Sequence, residues 1–193
     1  MPPKSSALVV LAVVTLSGCT ASVGGVSAPP YSTSTAPELL SRTKDLSLEG
    51  ADPCALLSTA QLDQLKENGA PRRLAVIDER DGPTCAFDVD AAPPTYTYYV
   101  ETIITADVQD WLTGRHHKTS MTQQPVDVPG FPALVNFAPS DGIQDCETLV
   151  GVADGQTLRA ETAADDKSFT QQQLCAMSTT VAKMAVETLE TVK

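Results

Sequence analysis

Four cysteines spread over residues 54–175 restrict the possible folds of this chain more than any other feature. They are Cys54, Cys85, Cys146 and Cys175, and no two of them form the C-x-x-C unit of zinc sites, so a metal centre is disfavoured. In an oxidising compartment, an even number of cysteines predicts two disulfide bonds, for which three pairings exist. We favour Cys54 with Cys85 and Cys146 with Cys175, because each bond then closes a loop of about 30 residues within one half of a domain.

The N-terminal residues indicate that the compartment is an oxidising one. Lys4 precedes a largely apolar run from Ala7 to Leu16, and the small pair Ser17-Gly18 follows it, which is the layout of a secretory signal peptide. As a helix this run would be about 15 Å long, roughly half the hydrocarbon thickness of a bilayer, so it is too short to span a membrane. We therefore expect residues 1–18 to be removed on export.

The residues around Cys19 resemble the lipobox of bacterial lipoproteins. Leu16, Ser17 and Gly18 match its apolar, small and small positions, and Cys19 matches the lipidated cysteine. The resemblance implies that the Cys19 sulfur carries a diacylglyceryl group, that the chain is cut before it, and that the protein is anchored at the extracytoplasmic face of the cell membrane. Two acyl chains hold a protein on a bilayer stably, whereas one does not. The alternative is an ordinary secretory leader with an unrelated cysteine.

The charge balance disfavours one class of partner. The chain has 13 basic and 24 acidic residues, a net charge of −11. Phosphate backbones and anionic membrane surfaces repel such a protein, so nucleic-acid binding is disfavoured.

The mature chain is predicted to consist of a tether and one domain. Between Thr20 and Pro37, 15 of 18 residues are Ser, Thr, Gly, Ala or Pro, which leaves too little apolar surface to order the segment. We therefore expect a flexible tether over residues 19–50 and a single domain over residues 51–193.

Local patterns within the domain predict three helices and six strands. Ser58 and Gln61 have capping-box spacing at the start of the first helix, and Ser168 and Gln171 have it at the start of the last. The predicted helices are 59–68, 107–118 and 169–191, and the predicted strands are 72–78, 84–90, 95–105, 133–137, 145–153 and 156–162. This order favours an α+β fold, with an antiparallel sheet of about five to six strands, helices packed mainly on one face, and two disulfides.

Several short motifs resemble one known family. They are Asp52-Pro53-Cys54-Ala55-Leu56-Leu57, Gln61-Leu62, Thr84-Cys85-Ala86-Phe87, and the later cysteines Cys146 and Cys175. Together they look like the actinobacterial secreted lipoproteins grouped as domain-of-unknown-function family 3558. The resemblance covers roughly residues 51–192 and implies an envelope lipoprotein with two intramolecular disulfides on an α+β scaffold. It carries no catalytic residues over to this chain.

The sequence contains no recognisable catalytic motif. A nucleophile elbow, an H-E-x-x-H zinc motif, a Walker loop and a dinucleotide-binding glycine pattern are all absent. We therefore predict no enzyme activity, no metal ligand and no cofactor.

One basic cluster is a candidate ligand contact. Trp111, Arg115, His116 and Lys118 lie close together in the sequence and could hold an anionic or sugar-like ligand by stacking and charged hydrogen bonds. The alternative is that these basic residues end a helix, where its dipole favours them, and that Trp111 fills the core.

These observations favour a non-enzymatic binding or interaction module in the cell envelope. Its partner would be an envelope protein, a wall component or a small ligand. The alternatives are a carrier of a small apolar or lipid ligand in a cavity between sheet and helices, and a hydrolase with an unrecognised site.

Replacing the predicted lipidation site tests the anchor directly. We expect Cys19→Ser to move the protein from the membrane fraction to the soluble fraction, because the variant cannot receive the diacylglyceryl group. Fractionation and metabolic labelling with a radioactive fatty acid would measure this. Unchanged membrane retention together with unchanged lipid labelling would contradict the prediction.

Overall fold

The computed structural model describes residues 37–75, 80–139 and 145–192. All of them belong to one compact unit that covers residues 35–193. The predicted leader, Cys19 and the upstream part of the predicted tether lie outside the described residues.

The described chain contains three α-helices, seven strands and a short 3₁₀ turn at Pro53–Ala55. The helices are α1 (Thr59–Leu65), α2 (Gln109–Leu112) and α3 (Gln171–Thr191), and the strands are β1 (Arg72–Arg73), β2 (Thr84–Val89), β3 (Tyr96–Ile103), β4 (Thr122–Pro125), β5 (Ala133–Phe137), β6 (Asp145–Ala153) and β7 (Gln156–Ala164). Among the described helices, none has the length and apolar character needed to cross a membrane.

The strands form one antiparallel sheet in the order β1-β2-β3-β7-β6-β5-β4. The predicted α+β class is confirmed, but the predicted count of five to six strands is wrong, because the sheet has seven. The strand missed is β4, which ends in Pro125. A proline lacks the N–H that a central strand needs, and β4 satisfies this restriction by lying at the edge of the sheet.

The helices lie on both faces of the sheet. The Thr148 hydroxyl of β6 bonds to Ser178 of α3, which places α3 on the face that we call the helix face. Gln61 of α1 donates to the Met184 carbonyl of α3, so α1 packs on the same side. The neighbour of Thr148 on β6, Leu149, points to the opposite face and packs in a cluster with α2. We call this opposite side the open face.

The predicted capping signals are partly confirmed. Ser58 and Gln61 form the capping box of α1. The corresponding box of α3 consists of Thr170 and Gln173, two residues later than predicted. Ser168 instead lies in the turn before the helix, where its N–H donates to the Asp166 carboxylate.

Both disulfides have the predicted pairing. The Cys54–Cys85 bond joins the 3₁₀ turn to β2, and the Cys146–Cys175 bond joins β6 to α3. Each of them therefore fixes a segment on the helix face to the sheet beneath it.

The folded unit begins upstream of the predicted domain boundary at residue 51. Leu46 and Leu48 are buried in the main core. The Leu46 N–H donates to the Val152 carbonyl at 2.7 Å, and the Thr43 N–H donates to the Gly130 carbonyl at 2.9 Å. Residues 37–50, which the composition assigned to the tether, are thus part of the domain.

A pair of leucine variants tests this boundary. We expect Leu48→Ala to lower the free energy of unfolding by about 2 to 5 kcal/mol, because it removes a buried side chain and leaves a cavity. Leu40→Ala is the matched control, since Leu40 is 65% exposed, and should change stability by about 0.5 kcal/mol or less. Denaturant titration would measure both values. Equal effects of the two substitutions would show that the folded unit begins after residue 48.

Candidate functional site

A buried ion pair occupies the centre of the open face. Glu101 of β3 and Arg159 of β7 are directly opposite each other across the sheet, and their side chains are 0% and 8% exposed. The Arg159 Nε–H donates to Glu101 Oε2 at 2.7 Å, and the Nη2 group of Arg159 bonds to the same oxygen. A buried carboxylate needs such compensation, because an unpaired charge in a protein interior is costly.

The turn before β2 completes the environment of Glu101. The N–H groups of Asp81 and Gly82 donate to Glu101 Oε1 at 2.6 and 2.7 Å. Only glycine fits at residue 82, because a Cβ there would lie 2.1 Å from the Thr102 carbonyl oxygen. The sequence Asp81-Gly82-Pro83 therefore serves to bring two amide donors to a buried carboxylate, in addition to forming a turn.

Two further carboxylates face each other beside this pair. Glu147 of β6 and Glu161 of β7 are cross-strand partners, an arrangement of like charges that by itself destabilises a sheet. Arginines offset the repulsion: Arg159 lies 3.4 Å from Glu147, and Arg80 lies 2.6 Å from Glu161. Arg80 also lies over the ring of Tyr99, 4.6 Å from its centre.

A cleft with two lobes opens above this network. The lobes have volumes of about 280 Å³ and about 270 Å³. Both are lined by Lys118, Met121, Asn136, Glu147 and Arg159. Arg80, Asp145 and Glu161 complete the first lobe, and Asp81, Trp111 and His116 complete the second. The cleft therefore has a preformed polar floor and a mixed polar and apolar wall.

Three of the four residues predicted to contact a ligand line this cleft. Trp111 is 3% exposed and packs in the apolar cluster around α2, which agrees with the alternative that this residue fills the core. Its ring is stacked on His116, with 4.4 Å between ring centres, so His116 covers Trp111 on the side of the second lobe. Lys118 lines both lobes. Arg115 is exposed and donates to the Thr105 carbonyl, and it does not line either lobe.

The predicted helix behind these residues is shorter than expected. The pattern predicted a helix over 107–118, whereas α2 covers Gln109–Leu112 only. The chain then turns, with Gly114 packed against Asp110, and the segment that follows carries His116 and Lys118 across the open face. These two side chains reach the cleft because the helix ends early.

Burial raises the pKa of two carboxyl groups that line the cleft. It raises the pKa of Glu147, and Arg159 and the amide of Asn136 oppose this shift. It also raises the pKa of Asp145, where repulsion from Glu161 adds to the effect and Arg80 opposes it. Within residues 37–75, 80–139 and 145–192, no group of His, Cys, Asp and Glu side chains is arranged to hold a metal ion. The geometry suits the recognition of a polar ligand.

A second concave surface lies on the helix face. It is a groove of about 720 Å³ between α3 and the edge of the sheet formed by β4 and β5. Val126, Val135, Phe137 and Ala176 contribute apolar surface, and Asp127 and Lys183 form an ion pair at its rim. This groove differs from the cleft because no buried charge lines it.

One comparison with known proteins finds a match. The family described as "Protein of unknown function (DUF3558)" matches residues 14–188, which is most of the chain. The protein belongs to this family. Neither the curated proteins nor the solved structures include a match. The function of this DUF3558 protein must therefore be inferred from its own residues.

The charged network was not predicted, although the sequence contains a signal for it. Glu101, Glu147, Arg159 and Glu161 are charged residues inside strands that otherwise consist mostly of apolar and small side chains. In a strand, alternate residues share a face, so such charges indicate a polar site on one face. Their convergence depends on the pairing of β3 with β7 and of β7 with β6, which the sequence pattern alone does not give.

Removing the central arginine tests the structural role of the ion pair. We expect Arg159→Met to lower the free energy of unfolding by about 3 to 5 kcal/mol, because Glu101 would remain buried without its partner. Adding Glu101→Gln in the same chain should recover part of this loss. Arg115→Met is the control, since Arg115 lies outside the network. Denaturant titration in which Arg159→Met and Arg115→Met behave alike would show that Glu101 is not a buried ion.

Proposed function

We propose that this protein is a lipid-anchored binding module of the cell envelope that holds a small polar ligand in the cleft of its open face. The observation that supports this most strongly is Arg159, a nearly fully buried cation that lines both lobes while carboxylates hold it in place. A fixed polar floor of this kind requires little reorganisation when a ligand binds. The module acts by recognition and has no catalytic role.

The proposed location draws on three observations. The apolar leader and the lipobox-like residues before Cys19 indicate export and lipidation. The two disulfides support an oxidising compartment, where such bonds persist. The family match begins at residue 14 and therefore includes Cys19.

Filling the cleft tests the proposed binding function. The mature protein would be extracted gently from its native membrane, and its intact mass would be measured by native mass spectrometry. We expect the wild type to carry a small polar molecule in addition to its lipid. Met121→Trp should lose it, because Met121 lines both lobes and an indole would occupy them.

Met121→Leu is the matched control for this experiment. It keeps the apolar volume at residue 121 and should retain the bound molecule. Wild-type protein without any polar adduct, or the same adduct on Met121→Trp, would contradict the proposal.

The groove on the helix face favours a second candidate function, that of a carrier. Its volume of about 720 Å³ lies within the usual range for ligand sites, and its apolar lining suits an acyl chain or another elongated apolar group. In the same mass measurement, a carrier would retain an apolar adduct that Met121→Trp leaves in place. Ala176→Trp, which fills the groove, would remove it.

A further inference from the structure

Two charged side chains of the cleft have no hydrogen bond or ion pair among the described residues. Lys118 lines both lobes, and its ammonium group makes neither interaction there. Asp145 lines the lobe of about 280 Å³, and the same holds for its carboxylate. The arginines differ, since Arg80 is paired with Glu161 and Arg159 with Glu101. Among the residues that the structure describes, the cleft thus offers one ammonium and one carboxylate to a ligand.

The surroundings of Asp145 favour a positively charged partner. Burial is the main cause of the raised pKa of Asp145, and repulsion from the Glu161 carboxylate on the neighbouring strand adds to it. Arg80 opposes this shift, and its guanidinium is also paired with Glu161 at 2.6 Å. A ligand ammonium beside Asp145 would supply the missing positive charge.

The two charged groups line the same part of the cleft. Lys118 and Asp145 both line the lobe of about 280 Å³. A lobe of this volume suits a small ligand. One small molecule that carries both a carboxylate and an ammonium can therefore contact both groups.

We propose that the cleft binds a small zwitterion, of which a free α-amino acid is the simplest example. Lys118 holds the ligand carboxylate and Asp145 holds the ligand ammonium, each through a charge-assisted hydrogen bond. Met121 and the ring of His116 line the same cleft and present apolar surface to a ligand side chain. This inference rests on the proposed function and specifies its ligand class.

The test uses the mature lipidated protein in detergent and ligand-observed NMR. The probes are glycine, alanine, methionine and phenylalanine, and the Kd of the best binder is then measured. We expect Lys118→Gln and Asp145→Asn each to weaken binding about tenfold or more, which corresponds to the loss of one charge-assisted hydrogen bond. Lys167→Gln, a change of the same type in the turn before α3, should leave the Kd unchanged.

Two analogues of the best binder assign each charge to its partner. The N-acetylated form lacks the ammonium, so Lys118→Gln should weaken its binding while Asp145→Asn has no effect. The amide lacks the carboxylate and should show the reverse dependence. If both variants bind the amino acid as tightly as the wild type does, the proposal is overturned.

The inference and the proposed function fail in different ways. If none of the four amino acids binds, the zwitterion inference is overturned. A polar adduct displaced by Met121→Trp would in that case still support a binding module with another ligand.

Discussion

The buried pair of Glu101 and Arg159 is the interaction on which the open face depends. Glu101 receives two amide hydrogen bonds from the turn before β2 and a guanidinium from β7, so one carboxylate fixes three segments of the chain. Arg159 in turn holds Glu147 of β6. Replacing such a pair by apolar side chains of similar volume is often neutral or stabilising, so stability alone does not explain it. A preformed polar floor beneath a cleft does explain it.

In the proposed function, the two faces of the sheet have different roles: the helix face provides stability and the open face binds the ligand. On the helix face, both disulfides and the long helix α3 cover the apolar core. On the open face, α2 covers one apolar cluster, and the charged network lies in the cleft beside it. A ligand can therefore bind the open face without disturbing the main core. The groove beside α3 is a part of the helix face that could also take a ligand.

Several features that depend on local sequence were predicted correctly. The cysteine pairing follows from loop length, the capping box of α1 from its spacing, and the α+β class from the order of elements. Features that depend on tertiary context were not. β4 contains Pro125, a residue that fits a strand only at positions such as the edge of a sheet, and the edge position depends on the strand order. Leu46 and Leu48 belong to the core, but two leucines did not outweigh the composition of the tether. The charged cleft required the register of β3, β7 and β6, which brings together residues far apart in sequence.

The burial of Arg159 is the feature that the proposed binding function needs most, and NMR of the arginine side chains measures it. The Nε–H of Arg159 bonds to a carboxylate that is 0% exposed, so its exchange with water should be slow enough for a sharp signal at neutral pH. Arg73, whose side chain is 58% exposed, provides the reference within the same chain. A persistent Arg159 signal beside a broadened Arg73 signal is the predicted result. If both exchange equally fast, the polar floor of the cleft is not preformed and the central claim fails.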